Sequence, residues 1–324
     1  MKNFVEFSYN NTVYTIPNAW HLLSRAEFVG IIADAGKMAA GEIPPIRVQA
    51  NHILRHMGWD ASKIKNDEAW ANLYWLSAQI TFIFNIVYPD QKDLINSLSN
   101  QERERVLRIP PQHIDDLPVA RYLCRLDYKY SLDTCFCTQL IPEITVKGKK
   151  YKGYSINTNY GVLTCSLTAL QYLEARSLPM DLETLPLMAA ILYFPGKYNS
   201  LKAHRLAEDF SSLDADTLQA IKINFLSVSN FMLTKTEFYI LTTGSSRGSA
   251  DICTGELESL YNLAADGLGD VETIESINIV KYLTILRKNL IDGVLQLQEN
   301  KVSINEIVKV TGLPIHIVTS IIKK

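Results

Sequence analysis

The sequence predicts a helix-dominant α+β protein: two β-hairpin-plus-helices units, to be read as an internal duplication or as a coincidence of common motifs, followed by a helical C-terminal region. Three observations lead there. Segments near residues 3–16 and 143–156 alternate apolar and polar residues around short turn-forming pairs, as hairpins do. Each is followed by a helix-start signature, Ser24 with Glu27 and Thr168 with Gln171. Apolar residues elsewhere recur at spacings of three and four, the helical period. With 324 residues, two or three domains are expected, and 47% hydrophobic against 20% charged residues places the chain among globular proteins.

The first hairpin is read from Phe4 to Tyr9 and Thr12 to Ile16, joined by Asn10-Asn11 and ended by Pro17. Ser24 and Glu27 then form a capping box, with Leu23 and Phe28 placed as a hydrophobic staple. The helix they open is expected to run to about Ala35 and stop at Gly36, and a second to span about Arg47 to Met57. A third is expected from about Trp70 to Tyr88. Its stretch from Leu73 to Tyr88 carries no charge but is too short to cross a bilayer, so it reads as a core helix.

The same order of features recurs after residue 140. Glu143 to Tyr151 lies over Glu6 to Tyr14 without a gap, and Leu167, Thr168, Gln171 and Tyr172 repeat staple and capping box. Phe225-Leu226-Ser227-Val228 echoes Trp75-Leu76-Ser77-Ala78, and Leu218, Ile221, Phe225, Val228 and Met232 form one helical stripe. Hairpins and capping boxes are also common in unrelated chains, so duplication and coincidence both stand. These readings divide the chain into residues 1–90, a linker at 91–140, a second unit at 141–241 and a C-terminal region at 242–324. The linker is expected to hold one helix and an extended segment.

The C-terminal region is expected to open on a flexible loop, Thr243 to Ser249, with helices at about Gly255 to Ala265 and Ser276 to Gln298. It closes on a helical pair. Ser303 and Glu306 cap the first, Gly312 makes the turn, and Pro314 suits the first position of the second. Ile315, Val318 and Ile322 give that last helix its apolar face.

Candidate chemistry is sparse. The terminal pair has the outline of a helix-turn-helix, and a DNA reader would present His316, Thr319, Ser320, Lys323 and Lys324. Two lysines are few for phosphate contacts, so a hairpin that closes the domain or binds protein is the other reading. A net charge of −2 supplies no general field for nucleic acid. Cys135 and Cys137, with Cys124 and His113 upstream, invite a zinc site. A C-x-C on an extended strand, however, turns its thiols to opposite faces. Five cysteines, Cys253 included, suit reduced thiols in a cytoplasm. The opening residues lack the apolar core of a signal peptide.

His52 and His56 share a helix face without a carboxylate between them and read as surface or boundary residues. Neither Gly196-Lys197 nor the Gly244 to Gly248 loop completes a phosphate-binding loop, and no nucleophile elbow or metalloprotease motif occurs. No cofactor, metal or catalytic residue is therefore expected. Trp70, Tyr74, Phe82 and Phe84 form an aromatic set on the third helix. Phe82 and Phe84 fall off its main face and must meet either a partner or a second internal layer.

The opening Phe7-x-Tyr9-x-x-x-x-Tyr14-x-Ile16-Pro17, then Trp20-x-x-Leu23-Ser24-x-x-x-Phe28, resembles the start of phage tail assembly chaperones. Met188 to Tyr193 and Ala207 to Phe210 are similar to proteins of that kind from Bacteroides-type phages and prophages. The resemblance implies a non-enzymatic protein of the host cytoplasm or the virion. Its partner would be a tape measure or other tail protein, or a second copy of itself, with neither nucleic acid nor membrane. It brings no catalytic residue. A DNA-binding or regulatory protein using the terminal hairpin is the alternative.

Overall fold

A computed structural model describes residues 2–9, 11–242 and 270–323. It is helix-dominant, with small antiparallel two-stranded sheets, as the sequence predicts. The chain divides into two compact units, Met1–Thr134 and Cys135–Lys324.

Unit 1 opens with β1 (Phe4–Tyr9) and β2 (Thr12–Pro17), paired from Phe4↔Pro17 to Tyr9↔Thr12. α1 (Arg25–Ala39) starts at the expected capping box: Glu27 N donates to Ser24 Oγ at 3.3 Å and Ser24 N to Glu27 Oε2 at 2.8 Å. The staple residues Leu23 and Phe28 are buried. Gly36 does not stop this helix; it is tolerated inside, and the left-handed residue at the end is Gly41. α2 (Pro45–Met57) has proline at its first position and ends on left-handed Gly58.

α3 (Asp67–Ser77) departs most from expectation. Asn66 caps it, and it ends at Ser77 rather than continuing to Tyr88. The chain then extends into β3 (Phe84–Val87), which pairs with β4 (Lys129–Leu132). Phe84, Ile86 and Tyr88 are buried while Val87 is exposed, the two-residue alternation of a half-buried strand.

Residues 91–140 are not a linker. α4 (Lys92–Ser97), α5 (Asn100–Arg108) and α6 (Pro118–Leu123) pack against β3 around a core of Ile86, Tyr88, Ile95, Val106, Ile114, Leu117, Ala120 and Leu123. Ser99 and Glu102 form a further capping box on α5. Buried Asp133 accepts from Trp20 Nε1 (3.2 Å) and Asn85 Nδ2 (3.2 Å) and pairs with Arg108 (3.0 Å). It thus ties these helices to the first half of the unit.

Unit 2 begins with β5 (Glu143–Val146) and β6 (Lys149–Lys152), whose loop and register match the first hairpin residue for residue. Lys147 and Gly148 adopt positive φ, as Asn11 does in the first loop, which suits a two-residue hairpin turn. A second ribbon, β7 (Ile156–Asn157) and β8 (Thr164–Cys165), precedes α7 (Ala169–Ser177). Thr168 and Gln171 cap α7 as expected.

α8 (Leu185–Leu192), α9 (Ser200–Phe210) and α10 (Ala215–Lys235) follow, and all five residues of the expected α10 stripe are buried. The echo between helices is partial. Ser77 and Ser227 are both buried and both donate to the carbonyl four residues back, yet Trp75 is exposed where Phe225 is buried.

After α11 (Val271–Glu275), the start of α12 (Ile279–Glu299) is stitched to the entry of α7. Ala169 N donates to Ile277 O at 2.7 Å and Ile279 N to Leu167 O at 2.9 Å. The separate C-terminal region expected from residue 242 is therefore part of unit 2. α13 (Ile304–Thr311), capped by Ser303 and Glu306, and α14 (Ile315–Ile322) flank left-handed Gly312. Pro314 is the N-cap of α14, not its first residue; Ile315 is exposed, and Ile317 and Val318 are the buried pair. The expected loop from Thr243, the helix from Gly255 and Cys253 lie outside the described residues.

Candidate partner-binding site

The aromatic set divides. On α3, Leu73, Leu76 and Ser77 face inward, and Trp70 and Tyr74 are half-buried, stacked with centroids 5.6 Å apart. The Arg47 guanidinium of α2 lies 4.5 Å over the Trp70 ring. Phe82 and Phe84 are not on this helix: they are 6% and 3% exposed. Phe82 packs edge-on against Trp20 (4.9 Å) and His52 (5.6 Å), and Phe84 against Tyr130 (5.8 Å). Their expected availability to a partner is lost because both serve as internal core.

Trp75, at 71% exposed, is not among the four aromatic residues that the sequence singles out. It sits about 200° around the helix from Leu73, opposite the buried stripe, with exposed Glu68, Ala71 and Asn72 along its side. Once the helix is ended at Ser77, this face follows from spacing alone.

A second aromatic surface surrounds the first hairpin. Phe7 stacks on Tyr14 at 5.5 Å, and both Phe7 (6.1 Å) and Tyr9 (5.9 Å) meet Trp59 edge-on. The two histidines of α2 hold the hairpin from behind. His52 Nε2 lies 3.0 Å from Pro17 O, and His56 Nε2 lies 3.1 Å from Thr15 O with its Nδ1 2.7 Å from Glu27 Oε1. His52 is fully buried rather than a surface or boundary residue, and that burial lowers its pKa from the ordinary imidazole value. Nearby, buried Asp34 takes Arg55 Nη1 at 2.6 Å and Asn51 Nδ2 at 3.1 Å. Gly30 leaves the room for that guanidinium, since a Cβ there would lie 2.7 Å from Arg55 Nε.

On the terminal hairpin, His316, Ser320 and Lys323 are exposed and Thr319 is partly so; Lys324 lies outside the described residues. The Thr319 and Ser320 hydroxyls donate to Ile315 O and Ile317 O, both at 2.8 Å. Val310 and Ile315 are exposed around the turn, beside exposed Lys309 and His316.

Cys135 and Cys137 lie in irregular backbone and are half-buried. Burial pushes the Cys137 and Cys165 thiols up to about 11, which keeps them protonated and poor nucleophiles. Among the described residues, no group of three or more His, Cys, Asp or Glu is placed to hold a metal ion. No helix among them is long and apolar enough to cross a membrane. No family model, no curated protein and no solved structure matches this chain.

Proposed function

We propose that this chain is a non-enzymatic assembly factor of the phage tail assembly chaperone kind. It acts in the host cytoplasm by covering an apolar helical segment of a tape measure or other tail protein. The observation that carries the reading is Trp75, held outward on a capped helix whose inner face is already satisfied. Exposed tryptophan is a frequent anchor of protein interfaces, and the flat bed of Ala71 and Asn72 beside it lets a second helix approach. The Arg47–Trp70–Tyr74 stack braces that surface from α2, so it is organised before a partner arrives.

The DNA-binding alternative has less support, because the outer surface of the terminal hairpin offers Val310 and Ile315 beside few cations. Co-expression with a phage tape measure protein tests the proposal. The wild type is expected to co-purify with it and Trp75→Ser is not, with circular dichroism unchanged. Equal co-purification of Trp75→Ser refutes this surface.

A further inference from the structure

The two hairpins close their outer edges differently. In an antiparallel ribbon with a two-residue loop, alternate residues turn their peptide groups outward. With Tyr9↔Thr12 flanking the loop, Phe4, Glu6 and Ser8 face out on β1, and Val13, Thr15 and Pro17 on β2. The bonding agrees: Asn18 N donates to Asn3 O at 2.8 Å, continuing the inward series, and the outward Thr15 O and Pro17 O meet His56 and His52. The β2 edge is thereby closed around Thr15 and Pro17, which has no N–H to offer, and only Val13 near the loop stays open. In the second hairpin the same parity turns Lys150 and Lys152 outward on β6, where lysines guard an edge, and Pro142 precedes β5.

β1 has no such guard. Its span contains no proline or lysine, and Phe4, Glu6 and Ser8 are exposed, with no hydrogen bond to their outward peptide groups among the described residues. Glu6 also has no cation paired with it among the described residues. Its counterpart Glu143 pairs with Lys150 at 2.9 Å, but the residue standing in place of Lys150 is Val13.

We infer that the open β1 edge receives an extended segment of a partner polypeptide by strand addition, with a Lys or Arg seated beside Glu6. Alternate residues of the added strand would lie on the other face, over Phe7, Tyr9, Tyr14 and Trp59, and apolar side chains fit there. This docking is separate from the α3 surface and does not depend on it.

The test uses the full chain and two capped synthetic peptides, one alternating valine with lysine and one alternating valine with glutamate. The lysine peptide should slow amide exchange at Glu6 and Ser8 and leave the already bonded Phe7 and Tyr9 unchanged. The glutamate peptide should bind about tenfold more weakly, a difference of about 1.4 kcal/mol. Ser8→Pro removes one outward N–H while sparing the hairpin's own ladder, and should abolish the protection. Glu6→Lys should exchange the preference between the peptides, which decides the matter even if Ser8→Pro disturbs the hairpin. Trp75→Ser should leave the protection intact, so a failure of the α3 proposal remains distinguishable. Absence of protection by the lysine peptide overturns the inference. So does equal protection in Ser8→Pro, or a wild-type dimer that Ser8→Pro dissociates.

Discussion

Replacing Phe82 by alanine should remove a large part of the stability of unit 1, whereas replacing Trp75 should not. Phe82 is 6% exposed, wedged between Trp20 and His52. Deleting a buried phenyl ring costs about 3–5 kcal/mol, including the lost edge-to-face contacts. A domain holds about 5–15 kcal/mol in total, so this is a third or more of it in most cases. With a urea m-value of about 2 kcal/mol/M, the unfolding midpoint should fall by about 2 M. Trp75→Ala removes an exposed ring and should stay within about 0.5 kcal/mol of wild type. All four tryptophans (Trp20, Trp59, Trp70 and Trp75) lie in unit 1, so tryptophan fluorescence follows the unfolding of that unit. A Phe82→Ala midpoint within about 0.5 M of wild type would refute the placement of this ring in the core.

Three further outcomes follow from the geometry. Burial lowers the folded-state pKa of His52 below its ordinary value of 6.5, so the unfolded chain binds its proton first as pH falls. The stability of unit 1 should be full above about pH 6.5 and decline below it, and His52→Gln, followed by urea titration across pH 5 to 7, should flatten that slope. Ser24→Ala and Thr168→Ala should each cost about 1 kcal/mol by taking an acceptor from a helix start, measured by chemical denaturation; no change in either would contradict the capping role. In a mobility-shift titration at moderate salt the protein should bind duplex DNA only weakly and without sequence preference. Tight binding lost on Lys323→Ala would restore the DNA-reading role of the terminal hairpin.

What could be read from the sequence was local. Capping boxes at Ser24, Thr168 and Ser303, the hairpin turns and the α10 stripe each depend on residues a few positions apart, and each formed as expected. The misreadings involve distant partners. Ile80 to Tyr88 is apolar enough to prolong a helix, but β4 lies more than forty residues downstream and captures Phe84–Val87 as a strand. Residues 91–140 looked like a linker because each short helix gives only one or two side chains to a core visible after assembly. His52 gave no local sign that the Pro17 carbonyl would bury it. Of the aromatic residues expected on the third helix, Trp70 and Tyr74 lie on α3, while the placement of Phe82, Phe84 and Trp75 turned on where α3 ends.

The central claim is that Trp75 remains free for a partner helix. The most direct measurement is acrylamide quenching of tryptophan emission, taken as the difference between wild type and Trp75→Phe. It is made with and without a synthetic amphipathic helical peptide, the kind of segment the proposal takes as partner. Trp75 should be readily quenched in the free protein and become protected, with a blue-shifted emission, when the segment is added. Unchanged quenching of Trp75 at saturating segment would contradict the account.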